Sequence, residues 1–341
     1  MSGDIGDFRG LLAKVGNGQS LGVDEAERAF DIMTSGDATP AQMGAFLMGL
    51  KVRGETADEL AGGARALRSK ALRVKAPPGA VDIVGTGGDH HGTYNVSSCS
   101  ALVVAGAGVP VAKHGNRAFT SKSGAADVLS ALGIGLELPV ETLEKALIEA
   151  NICFLMAPRH HSAMRNVNAP RVELAPSRTI FNLLGPLSNP ALVKRQVVGV
   201  FDRRWLKPMA EALGQLGLER ALVVHGQDGM DELTTTTASW AASLENGKVS
   251  EIEITPEEIG VKRATLADLK GADAVHNAEA IKKVLAGERN AFRDIVLLNS
   301  AAALLVAGKA GTLKEGAELA AQSIDSGKAA ATLGLLQRIC A

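Results

Sequence analysis

Apolar residues in the first part of the chain recur at helical spacing. Ala26, Ala29, Phe30 and Met33 share one face, and the run stops before Gly36. Thr39-Pro40 reads as a cap followed by proline at the first helical position. Met43, Phe46, Leu47 and Leu50 then form a single apolar stripe. Thr56 and Glu59 make a capping box ahead of Leu60, Ala64 and Leu67. No strand pattern occurs before the linker-like Val74-Lys75-Ala76-Pro77-Pro78-Gly79. The pattern predicts a helical domain over 1–75.

Beyond residue 76 the pattern changes to short apolar runs at Val81–Val84, Val109–Ala112, Ile152–Ala157, Val197–Phe201 and Ala221–Val224. Helical stretches lie between most of them, at Ser97–Ala107, Gly124–Leu132, Val140–Ala150 and Leu206–Leu216. Such alternation is the mark of βαβ units around a mainly parallel sheet covered on both faces. The expected fold class is therefore α/β, with a small N-terminal helical domain and a larger domain over 76–341. Loop and helix from 160 to 191 break the rhythm and are expected to rejoin the helical domain.

Polar or glycine-rich sequence follows the carboxyl end of each predicted strand. These stretches are Gly85-Thr86-Gly87-Gly88-Asp89, Lys113-His114-Gly115-Asn116-Arg117, Pro158-Arg159-His160-His161, Asp202-Arg203-Arg204, and His225 to Glu232. Open parallel sheets bind ligands in the crevice outside those ends, so the five are expected to converge. Several are basic, which argues for an anionic ligand.

Composition narrows the partners. There are 36 basic against 37 acidic residues, which leaves no electrostatic footprint for nucleic acid or an anionic membrane. No apolar run approaches the roughly 20 residues of a membrane span, and the start MSGDIGDFRG lacks the features of a secretory signal. Cys99, Cys153 and Cys340 lack metal-type spacing and read as buried small hydrophobes in a reducing compartment. A soluble cytoplasmic protein is expected.

The first glycine-rich turn can fold backbone N–H groups around phosphate oxygens without side chains in the way. It is neither a Walker A loop, since no Gly-Lys-Ser/Thr follows, nor a Rossmann fingerprint, since His90 replaces the last glycine. Thr93, Asn95, Ser97 and Ser98 come next and open a helix, whose free N–H groups and dipole suit an anion. Plain helix capping explains these hydroxyls equally well and is compatible with phosphate binding. Lys113 to Arg117 could be a solvated loop, although a surface loop would have no need of Gly115. Phe119 to Gly124 then supplies hydroxyls and Lys122 before another helix, suiting a second phosphate. The adjacent Asp231-Glu232 is ordinary surface charge in many proteins; among so many cations it suits Mg2+, which takes one or two carboxylates plus waters and phosphates. His90-His91 and His160-His161 are adjacent pairs, so zinc is not expected.

Gly85-Thr86-Gly87-Gly88-Asp89, Asn95-Val96-Ser97-Ser98, Lys113-His114-Gly115-Asn116-Arg117, Arg178-Thr179-Ile180-Phe181-Asn182-Leu183-Leu184-Gly185-Pro186-Leu187 and Asp231-Glu232 together resemble the motif set of the anthranilate phosphoribosyltransferase family. Order and spacing match over nearly the whole chain. Any one motif is weak, and five in order are specific.

The resemblance implies a two-domain fold shared with pyrimidine nucleoside phosphorylases, a homodimer formed through the helical domain, and transfer of a phosphoribosyl group from phosphoribosyl pyrophosphate (PRPP) to anthranilate. Carried over, Gly85, Gly88, Asp89, Thr93, Asn95, Val96, Ser97 and Ser98 would surround PRPP, with Lys113, His114, Gly115, Asn116, Arg117, Ala118, Phe119, Thr120, Ser121 and Ala125. Ser97, Asp231 and Glu232 would hold Mg2+, as two ions. Gly85, Asn116 and Arg171 would meet anthranilate. Ala125 departs from the pattern, standing where the family often has serine. Association with an anthranilate synthase or glutamine amidotransferase subunit is left open.

Two rivals remain. A pyrimidine nucleoside phosphorylase-like enzyme would be longer, with an extra C-terminal domain and without the paired acids. A non-catalytic nucleic-acid-binding relative should be basic.

Overall fold

A computed structural model of the chain describes residues 4–117 and 123–341. The expected PRPP contacts at Ala118, Phe119, Thr120 and Ser121 lie outside the described residues. Four helices come first: α1 (Asp4–Gly16), α2 (Val23–Ser35), α3 (Pro40–Arg53) and α4 (Ala57–Ser69). Their ends follow local chemistry. Thr39 and Gln42 exchange side-chain and backbone hydrogen bonds across a capping box ahead of Pro40, and Gly36 closes α2 in the left-handed region at φ 87°. In the Thr56–Glu59 box, Glu59 is fully buried because its carboxylate also accepts the Leu21 N–H at 2.9 Å and pairs with Arg53.

The remainder alternates as β1 (Val81–Gly85), α5 (Val96–Gly106), β2 (Val111–Gly115), α6 (Ala125–Ala131), α7 (Val140–Glu149), β3 (Ile152–Met156), α8 (Ala157–His160), α9 (Asn168–Glu173), α10 (Phe181–Leu187), β4 (Arg195–Gly199), α11 (Leu206–Gln215) and β5 (Arg220–Gly226). The hairpin β6 (Ser239–Glu245) and β7 (Lys248–Ile254) follows, then α12 (Ala274–Leu285), α13 (Ala291–Val306), α14 (Leu313–Asp325) and α15 (Lys328–Cys340). The seven strands form one sheet in the order β3-β2-β1-β4-β5-β6-β7, with the first five parallel and the last two antiparallel. The fold is thus the mainly parallel α/β arrangement with an N-terminal helical bundle.

Strand alternation divides the core. Val84, Val198, Val200 and Val223 face a cluster continuous with the buried stripes of α2, α3 and α4, including Phe30, Phe46 and Leu60. Ile83, Val197, Leu222 and Val224 face the opposite cluster, built with α5 and the C-terminal helices. Within the 160–191 stretch, α9 packs on α3 and α10 on α4. Among the described residues, no helix is long and apolar enough to cross a membrane.

The strand ends depart from expectation at two places. The run expected at Val109–Ala112 begins two residues later and continues through Gly115, so Lys113, His114 and Gly115 are strand rather than loop. Gly108, at φ 87°, lies in the turn after α5 and Pro110 has no N–H for a ladder, while pairing with Phe154, Leu155 and Met156 carries the strand onward. The β6–β7 hairpin was not expected at all. Its Asn246-Gly247 turn, with φ of 52° and 71°, is the local signal that marks it.

Candidate active site

From β1 the chain winds outward through β2 and β3, then returns to place β4 on the other side of β1. This reversal is a topological switch point, and the crevice beyond the ends of β1 and β4 is the natural place for a ligand. Gly85 and Gly199 sit opposite each other in register at those ends. The segment carrying Asp231 packs directly on both. A Cβ on Gly85 would lie 2.4 Å from Asp231 Oδ2, and one on Gly199 would lie 1.5 Å from the Asp231 carbonyl oxygen. Only glycine allows that approach.

Around Asp231 the crevice collects charge. Gly87 N–H donates to Asp231 Oδ2 at 2.6 Å, and the Asp89 carboxylate stands within hydrogen-bonding reach of Asp231. Glu232 accepts the backbone N–H of Ser97, the second residue of α5. Burial, then the Asp89 charge, pushes Asp231 up to about 7; burial, then Asp231, pushes Glu232 up to about 8. Lys113 enters from below, its Nζ donating to Ile83 C=O at 2.7 Å and to Ser97 Oγ at 3.2 Å. Burial lowers the Lys113 pKa, opposed first by Asp82 and then by Glu232 and Asp231. One buried ammonium thus faces several carboxylates, and the carboxylates are left wanting positive charge.

That donor set fits Mg2+. Among the described residues, no group of three or more histidine, cysteine, aspartate or glutamate side chains is arranged to hold a metal alone. Asp231, Glu232 and the Ser97 hydroxyl leave room for the waters and phosphate oxygens with which Mg2+ completes its shell.

The glycine-rich loop is open backbone held from outside. Gly88 has φ 81°, and a Cβ there would lie 2.9 Å from Arg178 Nη2, which donates to the Gly88 carbonyl. The Arg178 guanidinium lies 4.0 Å over the Phe201 ring and 3.1 Å from His90 Nε2. Phe201 N–H in turn donates to Thr86 Oγ1 at 3.1 Å.

Gly85, Gly88, Asp89, Ser97, Lys113, Asp231 and Glu232 thus line one crevice. Val96 and Ser98 are buried beneath it, so Val96 offers only backbone there. Thr93 lies in an antiparallel bridge with Lys270, and Asn95 Oδ1 accepts from Asn277 and Ser123. Asn116 and Arg117 are exposed at the end of β2, and Arg117 pairs with Asp127 at 3.1 Å. A Cβ on Gly115 would press on Phe154 at 2.8 Å and on Ala125 at 3.3 Å. Arg171 is on α9, its guanidinium 5.3 Å over Phe181 and its pKa lowered by burial.

Two expectations are corrected. The side chain of His114 does not join Lys113, because alternate residues of a strand point to opposite faces. It is buried against α10, with Nδ1 3.2 Å from Gly185 C=O and its ring edge-on to His161. Nor do all five polar segments converge. His160 Nδ1 turns to Leu72 C=O at 2.7 Å, while Arg203 and Arg204 lie over Trp240 and Trp205. Site-supporting residues that sequence reasoning did not single out are Asp82, Lys270 and Asn277, while Arg178 was quoted only as the start of the Arg178–Leu187 motif and given no role. Asp82 is fully buried, accepting from Asn189, Gln196 and the His114 N–H.

Comparison with known proteins bears on this crevice. The glycosyl transferase family a/b domain matches residues 77–330, and the helical bundle domain of that family matches residues 9–71. An anthranilate phosphoribosyltransferase of Rhodopseudomonas palustris is 57% identical over 330 residues, covering 97% of both chains. The crystal structure of anthranilate phosphoribosyltransferase from Thermus thermophilus superposes with a TM-score of 0.92 at 42% identity, covering 97% of this chain and 99% of that one. The Saccharomyces cerevisiae enzyme in complex with PRPP and Mg gives 0.88 at 26% identity, covering 98% and 97%.

Proposed function

The chain belongs to the anthranilate phosphoribosyltransferase family, and on that premise we propose how its own residues perform the transfer. The reaction joins the anthranilate amine nitrogen to C1 of the ribose, breaks the bond from C1 to pyrophosphate, and releases the amine proton. The products are N-(5-phosphoribosyl)anthranilate and pyrophosphate, a step of tryptophan biosynthesis. The observation that carries this reading is the meeting of Gly87 N–H, Ser97, Lys113 and the Asp231-Glu232 pair at the β1–β4 switch point.

PRPP is held by the open loop from Gly85 to Asp89, by Thr93 and Asn95 to Ser98, and by Lys113 and Gly115 to Arg117 with the start of α6. The Lys113 ammonium, beside Ser97 at the start of α5, is placed to meet leaving-group charge as it develops. Asp231, Glu232 and Ser97 hold Mg2+, as two ions. When bound, the metal neutralises charge on the departing pyrophosphate. The ribose carbon is oxocarbenium-like in the transition state, so placing the weakly basic amine against it contributes most, and no side chain is assigned as an obligatory base. Arg171 and Asn116 bind anthranilate, with Gly85 nearby.

The reading includes a helical domain over 1–75, extended by part of 160–191, that forms the contact of a cytoplasmic homodimer. The phosphorylase and nucleic-acid-binding alternatives are not favoured by the relatives. A fluorescence assay tests the activity directly. Anthranilate should disappear only when PRPP and Mg2+ are both present, and loss that needs neither would remove the proposal.

A further inference from the structure

Between the glycine-rich loop and α5 the backbone is held by a segment from far along the chain. Leu269 C=O accepts the Tyr94 N–H at 3.1 Å, and Gly271 N–H donates to Gly92 C=O at 3.0 Å. Thr93 and Lys270 are the bridge partners between them, and Lys270 Nζ reaches His91 C=O at 2.7 Å. Tyr94 is stacked on Phe292, with ring centroids 4.5 Å apart. At Gly271 a Cβ would lie 2.6 Å from the Thr93 carbonyl oxygen and 2.9 Å from Asn277 Oδ1, so this crossing admits no side chain.

Asn277, near the start of α12 and only 1% exposed, completes the clasp. Its amide orientation is decided by chemistry. The Ala272 backbone N–H can only donate, and it points at Asn277 at 2.9 Å, so that atom is Oδ1. The other amide atom is therefore Nδ2, which donates to Asn95 at 2.9 Å. The Asn95 atom facing it must accept and is Oδ1. This leaves the Asn95 NH2 group donating to Ser123 C=O, 3.4 Å away just before α6, with its second N–H unused there, while the Ser123 hydroxyl is a further donor to Oδ1 at 3.4 Å. A backbone N–H on one segment thus dictates, through two side-chain amides, how the Asn95 amide is oriented.

We propose that Asn277 is a positioning residue for PRPP, acting through Asn95. It locks the Asn95 amide so that the N–H not given to Ser123 is left for an anionic substrate, which needs donors rather than a carbonyl. This rests on the reading above, in which Asn95 contacts PRPP.

Replacing Asn277 with aspartate separates positioning from support. Asn277→Asp keeps an oxygen for the Ala272 N–H, so the turn survives, but it presents a second acceptor to Asn95. Asn95 must then rotate its amide to donate, putting Oδ1 where the NH2 group was and removing the N–H left for the substrate. The expected result is a roughly three- to tenfold higher KM for PRPP, the range for one lost hydrogen bond. Turnover number and KM for anthranilate should stay close to wild type, whatever the new buried carboxylate costs in melting temperature. Asn95→Ala should show the same rise, and the double variant should be no worse than Asn95→Ala, because both changes remove one contact. Asn277→Ala serves as the neutral check and should also raise KM for PRPP.

Losses that add in the double variant would mean that the new charge acts on the substrate directly, and would overturn the proposal. A lower melting temperature with unchanged KM for PRPP would reduce Asn277 to a structural role and overturn it too. So would wild-type behaviour of Asn277→Asp beside an impaired Asn95→Ala, with the PRPP reading intact. An Asn95→Ala enzyme with unchanged KM for PRPP would instead remove PRPP from Asn95, and this inference with it.

Discussion

Gly199 and Asp231 are in such close backbone contact that a single methyl group on the glycine would stand 1.5 Å from the Asp231 carbonyl oxygen. The acidic pair is thereby seated on the end of β4 by backbone, and on the end of β1 by the side-chain approach of Asp231 Oδ2 to Gly85. The two contacts should fail differently. Gly199→Ala must displace main chain at the sheet end and should cost stability at the top of the ~1–3 kcal/mol overpacking range or beyond, together with activity. Gly85→Ala meets the end of a side chain that can swing aside, so it should lose activity with a smaller fall in melting temperature. Equal melting temperatures for the two variants would show that the backbone contact is not rigid.

The acidic pair itself gives the second prediction. Asp231→Ala with Glu232→Ala removes two carboxylates whose pKa values are pushed up, Asp231 by burial and then the Asp89 charge, Glu232 by burial and then the Asp231 charge. Little stability should be lost, since mutual repulsion goes with them. Turnover should fall roughly hundredfold or more, because metal charge on the leaving group is worth several kcal/mol. Raising Mg2+ within the ordinary millimolar range should not restore it. Near-normal turnover in this variant would place the metal elsewhere.

Much of this architecture was legible because its signals are local. Thr39-Pro40, the Thr56–Glu59 box and the stripe Met43, Phe46, Leu47 and Leu50 each need only a few residues to state their structure. The glycine-rich loop and the paired acids were legible as motifs. Lys113 and His114 were misread as loop because charged residues seldom occupy a buried strand; here Ile83 C=O and Ser97 satisfy the ammonium, and Gly185 C=O accompanies the imidazole. The β6–β7 hairpin was missed because Ser239–Glu245 is rich in alanine and serine and Lys248–Ile254 is mostly exposed. The parts played by Arg178 and Asn277 could not be found from spacing, since the groups they hold lie 90 and 182 residues away.

Asp82 supplies a pH dependence. It is wholly buried, and burial raises its pKa to about 6 although Lys113, Asn189 and the His114 N–H all favour the charged form. An unfolded aspartate titrates near 3.8. A folded-state value above the unfolded one means that the folded protein binds the proton more tightly. The resulting stability, roughly 3 kcal/mol, is fully present below about pH 4 and is lost as pH rises through about 6. Asp82→Asn has no such proton to lose. In denaturant unfolding from pH 4 to 7, the stability difference between wild type and variant should therefore shift by that amount in the variant's favour. A difference that stays flat would show that the neighbouring donors, not burial, set the Asp82 charge.

The last prediction separates recognition of anthranilate from that of PRPP. Anthranilate carries a carboxylate beside its amine, and a planar guanidinium can meet a carboxylate through two parallel hydrogen bonds. Arg171 offers such a group on α9, a helix that packs on α3 rather than on the strands bearing the phosphate-binding loops. Its guanidinium is placed by the Phe181 ring 5.3 Å away and is partly desolvated, which strengthens any pairing it makes. Arg171→Ala should raise KM for anthranilate about ten- to hundredfold, the effect of losing roughly 1.5–3 kcal/mol of charge-assisted bonding. KM for PRPP should stay near wild type, because the PRPP loops lie on other elements. Arg171→Lys should recover only part of the loss, since an ammonium keeps the charge without the fork. Melting curves of both variants will show whether the lost contact with Phe181 also loosens α9. Steady-state kinetics with each substrate varied in turn decide the matter: equal losses for both substrates, or none for anthranilate, would mean that another group reads the carboxylate.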